Sequence, residues 1–203
     1  MANGTTSAGD RLRALLEPAR PDPAEIARVL DGLSPADGVA AIRSLGGTTL
    51  QAKLYQAVAG APPVTLADLV PPDMPPLREV IFYGKNSLPA FTHFQKRFCR
   101  PPGVRGQEEL WGYNRAPLAW MTGPGYFVVH ADAREGAAID YRQVPPEHPP
   151  AWPAIRPNSQ GLSRFVFNNM VDYLRRVSRD VFIGSAYRGG KSINSYFLIC
   201  REP

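Results

Sequence analysis

Six of the eighteen residues in GAPPVTLADLVPPDMPPL, positions 60–77, are proline. Proline fixes φ and carries no amide proton, so neither a helix ladder nor a central strand runs through such a segment. The chain is therefore expected to fold as two differently built parts. We divide it into a helical region at 1–60, a proline-rich connector at 61–77 and a strand-rich region at 78–203.

Before the connector, apolar residues recur with helical spacing. Ile26, Val29, Leu30 and Leu33 make one stripe in PDPAEIARVLDGL, with Asp22 and Glu25 as a capping pair. In SPADGVAAIRSLGG, Ser34 is the N-cap, Pro35 takes the first helical position and glycines mark the stop. With DRLRALLEPA and TTLQAKLYQAV this predicts about four short helices whose stripes serve packing.

After the connector come short β-branched and aromatic runs separated by Gly, Pro and Asn: REVIFYG, ELWGYN, LAWMTG, GYFVVHA, AAIDYRQV, DVFIGSAYRG and NSYFLICRE. YRGGKSIN reads as a hairpin connection, and GLSRFVFNNMVDYLRRVSRD fits either a helix or two strands. The fold class expected is α+β: short helices followed by a mainly antiparallel β-barrel or strongly curved sheet.

Composition excludes several classes. No run approaches the roughly 20 apolar residues that span a bilayer, and the N-terminus lacks an apolar signal region, so a cytoplasmic, non-membrane protein is expected. Cys99 and Cys200 are the only cysteines, which argues against a zinc site or disulfide framework and for two free thiols. Frequent Ala, Arg, Pro and Gly fit a GC-rich bacterial source. The net charge of +5 is modest, and Lys85, Lys96, Arg97, Arg100 and Arg105 lie in one acid-free window between Glu79 and Glu108.

That window contains FYGKNSLPAFTHFQKRFCR at 82–100. Extended, it would put Lys96 on the same face as Phe94, so we expect a helix instead, docked through Phe91, Phe94 and Phe98 with Lys96, Arg97 and Arg100 turned outward. His93 is the one favoured candidate base: an imidazole partly desolvated beside Lys96 and Arg97 has its pKa pushed down toward the neutral form. Asp140 and Asp172 would make a carboxylate pair if the fold joined them. No phosphate loop, nucleophile elbow or zinc-protease helix is present.

Asp172, Tyr173, Arg175, Arg176, Val177, Asp180 and Gly184 in MVDYLRRVSRDVFIGSAYRGGKSINSYFLICRE, together with HFQKRF, resemble the bacterial domain family named for its Gly-x-Trp-x-Gly motif. The resemblance covers the last 120 residues or so, and the motif itself is absent. It implies a lipocalin-like barrel enclosing a hydrophobic ligand.

The function expected is binding of a small hydrophobic or amphipathic, anionic molecule in a barrel cavity. Tyr83, Lys85, Asn86, His93, Lys96, Arg97, Trp111, Tyr113, Asn114 and Tyr126 are the expected ligand contacts, with cations gripping the head group at the mouth. The alternatives are a cofactor-independent isomerase, cyclase or hydratase using the same cavity, and nucleic-acid or acidic-surface binding by the 85–105 patch. No metal is expected, and the sequence names neither a cofactor nor an oligomeric state.

Overall fold

A computed structural model of the chain describes residues 7–89, 92–103, 105–117, 119–134 and 136–202. Phe91 and the first six residues, both used in the sequence reading, lie outside the described residues.

Four helices open the chain: α1 (Ala8–Leu15), α2 (Pro23–Asp31), α3 (Pro35–Ser44) and α4 (Thr48–Ala57). Their caps are largely those the sequence predicts, since the Asp22 carboxylate accepts from Ala24 N–H and Ser34 Oγ from Asp37 N–H. The connector holds a further short helix, α5 (Leu66–Leu69), closed by a Thr65–Asp68 capping box.

Eight strands follow: β1 (Val80–Asn86), β2 (His93–Cys99), β3 (Glu109–Arg115), β4 (Phe127–Asp132), β5 (Gly136–Asp140), β6 (Met170–Arg176), β7 (Val181–Arg188) and β8 (Lys191–Arg201). Each pairs antiparallel with the next, and β8 pairs with β1, so the sheet is a closed barrel. Short helices interrupt the series: α6 (Arg105–Glu108) before β3, α7 (Ala119–Thr122) before β4 and α8 (Ser163–Val166) before β6. Among the described residues no helix is long and apolar enough to cross a membrane.

Three local expectations are corrected. LAWMTG carries α7 rather than a strand, and its Trp120 is exposed. The ambiguous segment resolves into α8, a turn at Asn169 with positive φ, and β6. Most consequentially, the predicted helix over 86–100 is strand β2. Its register places Phe94, Lys96 and Phe98 on the barrel's inner face, opposite Gly84, Phe82 and Val80 of β1.

Strand parity divides the molecule into layers. Phe82, Phe98, Leu110, Phe127, Val129, Ile139, Leu174, Phe182 and Ile199 fill the barrel interior. Helices α1–α4 cover the outer face of β7 and β8, burying Ile183, Tyr196, Leu198 and Cys200. Side chains fasten this layer: Gln51 Nε2 donates to Lys85 O at 3.2 Å and Arg175 to Tyr55 O at 2.8 Å. The two cysteines are buried and unpaired, and burial pushes both thiols up to about 12.

The two barrel ends differ. At one, Leu69 and Val70 of the α5 segment join the interior core. Arg176 pairs with Asp68, Arg100 donates to Val70 O, and Arg201 donates to the Asp68 carbonyl and to Asp180 Oδ1. The proline-rich connector therefore carries a stopper. Among the described residues the other end, where β1 meets β2 and β7 meets β8, carries no such stopper and is called the open end.

Three inward glycines shape that open half. Gly84, Gly112 and Gly184 lie directly across from Phe94, Phe127 and Phe197 of the neighbouring strands, and each ring occupies the space a Cβ would need. Glycine is required by this close approach rather than by its backbone angles. Gly184→Ala should displace the Phe197 ring and lower stability by about 1–3 kcal/mol in urea denaturation. An unchanged midpoint would contradict the packing described.

Candidate functional site

A lysine in a strand that lines a sealed core must be neutralised or compensated. Lys96 is such a residue, only 2% exposed, and the structure compensates it from three strands. Asn114 faces it in the β2–β3 register, its Oδ1 accepting from Lys96 Nζ at 3.0 Å. Tyr141, directly after β5, accepts from the same amine at 2.5 Å. Asp172, inward on β6, places Oδ2 at 3.5 Å from Nζ.

Four rings complete the surroundings. The Phe94, Phe127, Tyr141 and Phe197 centroids lie 5.7, 5.0, 5.1 and 4.6 Å from Lys96 Nζ, so the ammonium sits in an aromatic cage. The three phenylalanines are those seated over inward glycines, which ties the glycine pattern to the lysine. Phe167 stacks on Tyr141 at 5.3 Å and fixes that ring from the loop side.

Electrostatics follow from the burial. Loss of water pushes the Lys96 ammonium down to about 8, with Asp172 opposing the shift. Burial raises Asp172 from its ordinary value, Lys96 opposing, and raises the Tyr141 phenol well above the usual range. One atom is left over: Asp172 Oδ1 is buried with no hydrogen-bond partner. An unmet buried acceptor costs about 1–3 kcal/mol.

The cluster forms the floor of a cavity of about 270 Å3 at the barrel's open end. Phe94, Phe167, Phe197, Met170 and Ala186 make apolar walls. At the mouth, Leu88 after β1, Val166 of α8 and Ile193 of β8 are both lining and exposed. Arg188 also borders the cavity, but its guanidinium donates to the carbonyls of Phe165 and Val166 at 3.0 Å and holds α8 in place.

Of the ten residues expected to touch a ligand, Asn86, Lys96 and Asn114 line this cavity. The others lie elsewhere, by strand parity. Tyr83 and Lys85 are on the outer face of β1; the Tyr83 hydroxyl donates to Glu202 at 2.7 Å under the Arg43 guanidinium. Arg97 pairs with Glu79 at 2.8 Å on the outer wall. Trp111, Tyr113 and Tyr126 form an outer aromatic cluster with Trp152. These three flank the inward residues Gly112 and Phe127, so they cannot share their face.

His93 is exposed at the outer edge of β2. Its imidazole is lowered, first by partial burial and then by Lys85 and Arg43, so the direction expected holds but Lys96 and Arg97 are not the cause. Asp140 and Asp172 do not pair: Asp140 faces outward and is clamped by Arg142 at 2.8 Å, while Asp172 faces inward. The sequence reading missed Tyr141 altogether. Opposite charges at inward parity positions of two strands, Lys96 and Asp172, were the available signal.

Comparison with protein-family models, curated proteins and solved structures returns no match.

Removing one partner of the pair leaves a bare charge in the core. Lys96→Met alone, or Asp172→Leu alone, should destabilise by about 3–5 kcal/mol, and the double variant should regain most of that loss in urea denaturation. Additive losses would show the two groups to be uncoupled. The pH dependence has a defined sign. Native Lys96 releases its proton near 8 and the unfolded chain only near 10.5, so stability rises with pH inside that window. Relative to the double variant, the protein should gain about 2 kcal/mol between pH 8 and about pH 10, read from urea midpoints across that range.

Proposed function

We propose that the protein binds a small, mainly apolar molecule with a hydrogen-bond-donating end in the open half of its barrel. The observation that carries this reading is the unpartnered Asp172 Oδ1 on the floor of an otherwise apolar cavity. A ligand hydroxyl or N–H would supply the missing donor, and the aromatic walls would take the apolar body. At about 30 Å3 per water the cavity has room for about nine water-sized groups. The exposed leucine, valine and isoleucine at the mouth give such a molecule an apolar entrance.

A neutral end group fits better than the anion expected from the sequence. Lys96 already faces Asp172, and a second carboxylate would meet the first in a low-dielectric floor. Lys85 and Arg97, the other cations proposed as a grip, stand outside the barrel. The enzymatic alternative with His93 as base lacks support because that imidazole is on the outer wall. Nucleic-acid stacking has no more support, since Phe82, Phe94 and Phe98 face inward.

Benzyl alcohol is a suitable probe. It should raise Tm saturably in the wild-type protein, and Ser195→Leu, which fills the cavity from β8, should abolish the rise. Native and denaturing mass spectra of freshly purified protein should also reveal any molecule carried from the cell. A Tm unmoved by benzyl alcohol, or moved equally in Ser195→Leu, would overturn the reading.

A further inference from the structure

We propose that Lys96 is a nucleophile and that the molecule this cavity takes is a small apolar aldehyde or ketone, held as an imine on Nζ. The inference rests on the cavity-binding reading above and names its ligand class: the free carbonyl brings only an acceptor, and the donor that meets Asp172 Oδ1 is the carbinolamine hydroxyl formed on condensation.

A purely structural ion pair has no need of empty space, yet this one borders a cavity of about 270 Å3. Nor does a structural pair explain why one Asp172 oxygen is left without a partner. Both features serve condensation. The amine is held by Asn114 at 3.0 Å and Tyr141 at 2.5 Å, so little side-chain freedom is lost when a carbonyl carbon approaches. Burial keeps its ammonium near 8, which leaves about a tenth of it neutral at pH 7. Attack by an amine needs that neutral fraction.

The steps balance without an oxidant or reductant. Asp172 accepts a proton from the ammonium. The nitrogen lone pair then forms an N–C bond as the carbonyl π pair moves to oxygen, and the proton shed by the now-cationic nitrogen passes to that oxygen, giving a neutral carbinolamine. Breaking of its C–O bond, with Asp172 returning the proton, releases water through the mouth. The products are one C=N bond and one water, and hydrolysis reverses the sequence. The protonated imine keeps a positive charge where the ammonium had it, among four rings and opposite Asp172. The same environment therefore stabilises the free and the condensed states.

The chain has four lysines, Lys53, Lys85, Lys96 and Lys191, which makes the test direct. The full-length protein would be incubated with benzaldehyde and sodium cyanoborohydride, and the adduct located by peptide mass mapping. One benzyl group per chain is expected, on Lys96, formed at least tenfold faster than on any other lysine, as an order-of-magnitude guide. Asp172→Asn, folded by its melting curve, should slow the reaction on the order of a hundredfold. Scattered labelling that spares Lys96 in a protein that still binds benzyl alcohol would overturn the imine and leave the cavity reading intact. Failure of both benzyl alcohol and benzaldehyde to bind would overturn both.

Discussion

The buried Lys96 ammonium is the constraint around which the open half of the barrel is organised. A cation withdrawn from water carries a penalty of several kcal/mol, which hydrogen bonds, a counter-charge and polarisable rings must offset together. Each contribution comes from a different strand: Asn114 from β3, Tyr141 after β5, Asp172 from β6, and rings from β2, β4 and β8. None of these strands can slip its register by one residue without turning its contribution to the outside. The lysine thus specifies strand alignment as well as occupying a site.

The cage depends in turn on glycine. Gly84, Gly112 and Gly184 each give up a side chain so that a cross-strand phenylalanine can lie flat over the backbone and reach the barrel axis. Phe182 and Phe82, with Phe98, pack the interior beyond them through tilted and edge contacts. The helical layer acts from outside, covering β7 and β8 through Leu198, Ile183 and Tyr196.

How much of this the sequence makes legible depends on the range of the interaction. Helix caps and stripes are local, and Asp22 and Ser34 act as their positions predict. Strand composition is local too, and the antiparallel barrel expected from it is present. Parity fails where a single residue breaks the apolar pattern. Lys96 between Phe94 and Phe98 looks incompatible with an inward strand face until its counter-charge is known, and that counter-charge is 76 positions further along at Asp172. The same gap hides Tyr141 and misplaces Trp111, Tyr113 and Tyr126, whose aromatic character fits either face. The connector misleads for another reason: Thr65 and Asp68 form a capping box among prolines, and the short helix they start closes one end of the barrel.

The contrast between the two ends carries the functional argument. Both carry cations at inward or end positions. At the closed end Arg100, Arg176 and Arg201 are met by Val70 O, Asp68 and Asp180, and the α5 segment fills the remaining space. At the open end a single lysine is met by a single carboxylate, one carboxylate oxygen stays unmet, and a cavity remains. At the closed end one guanidinium nitrogen, Arg100 Nε, is likewise unmet, so what distinguishes the open end is an unmet acceptor that borders a cavity. Leaving an acceptor and a space together, beside an amine held down by burial, is accounted for when a third molecule completes the set.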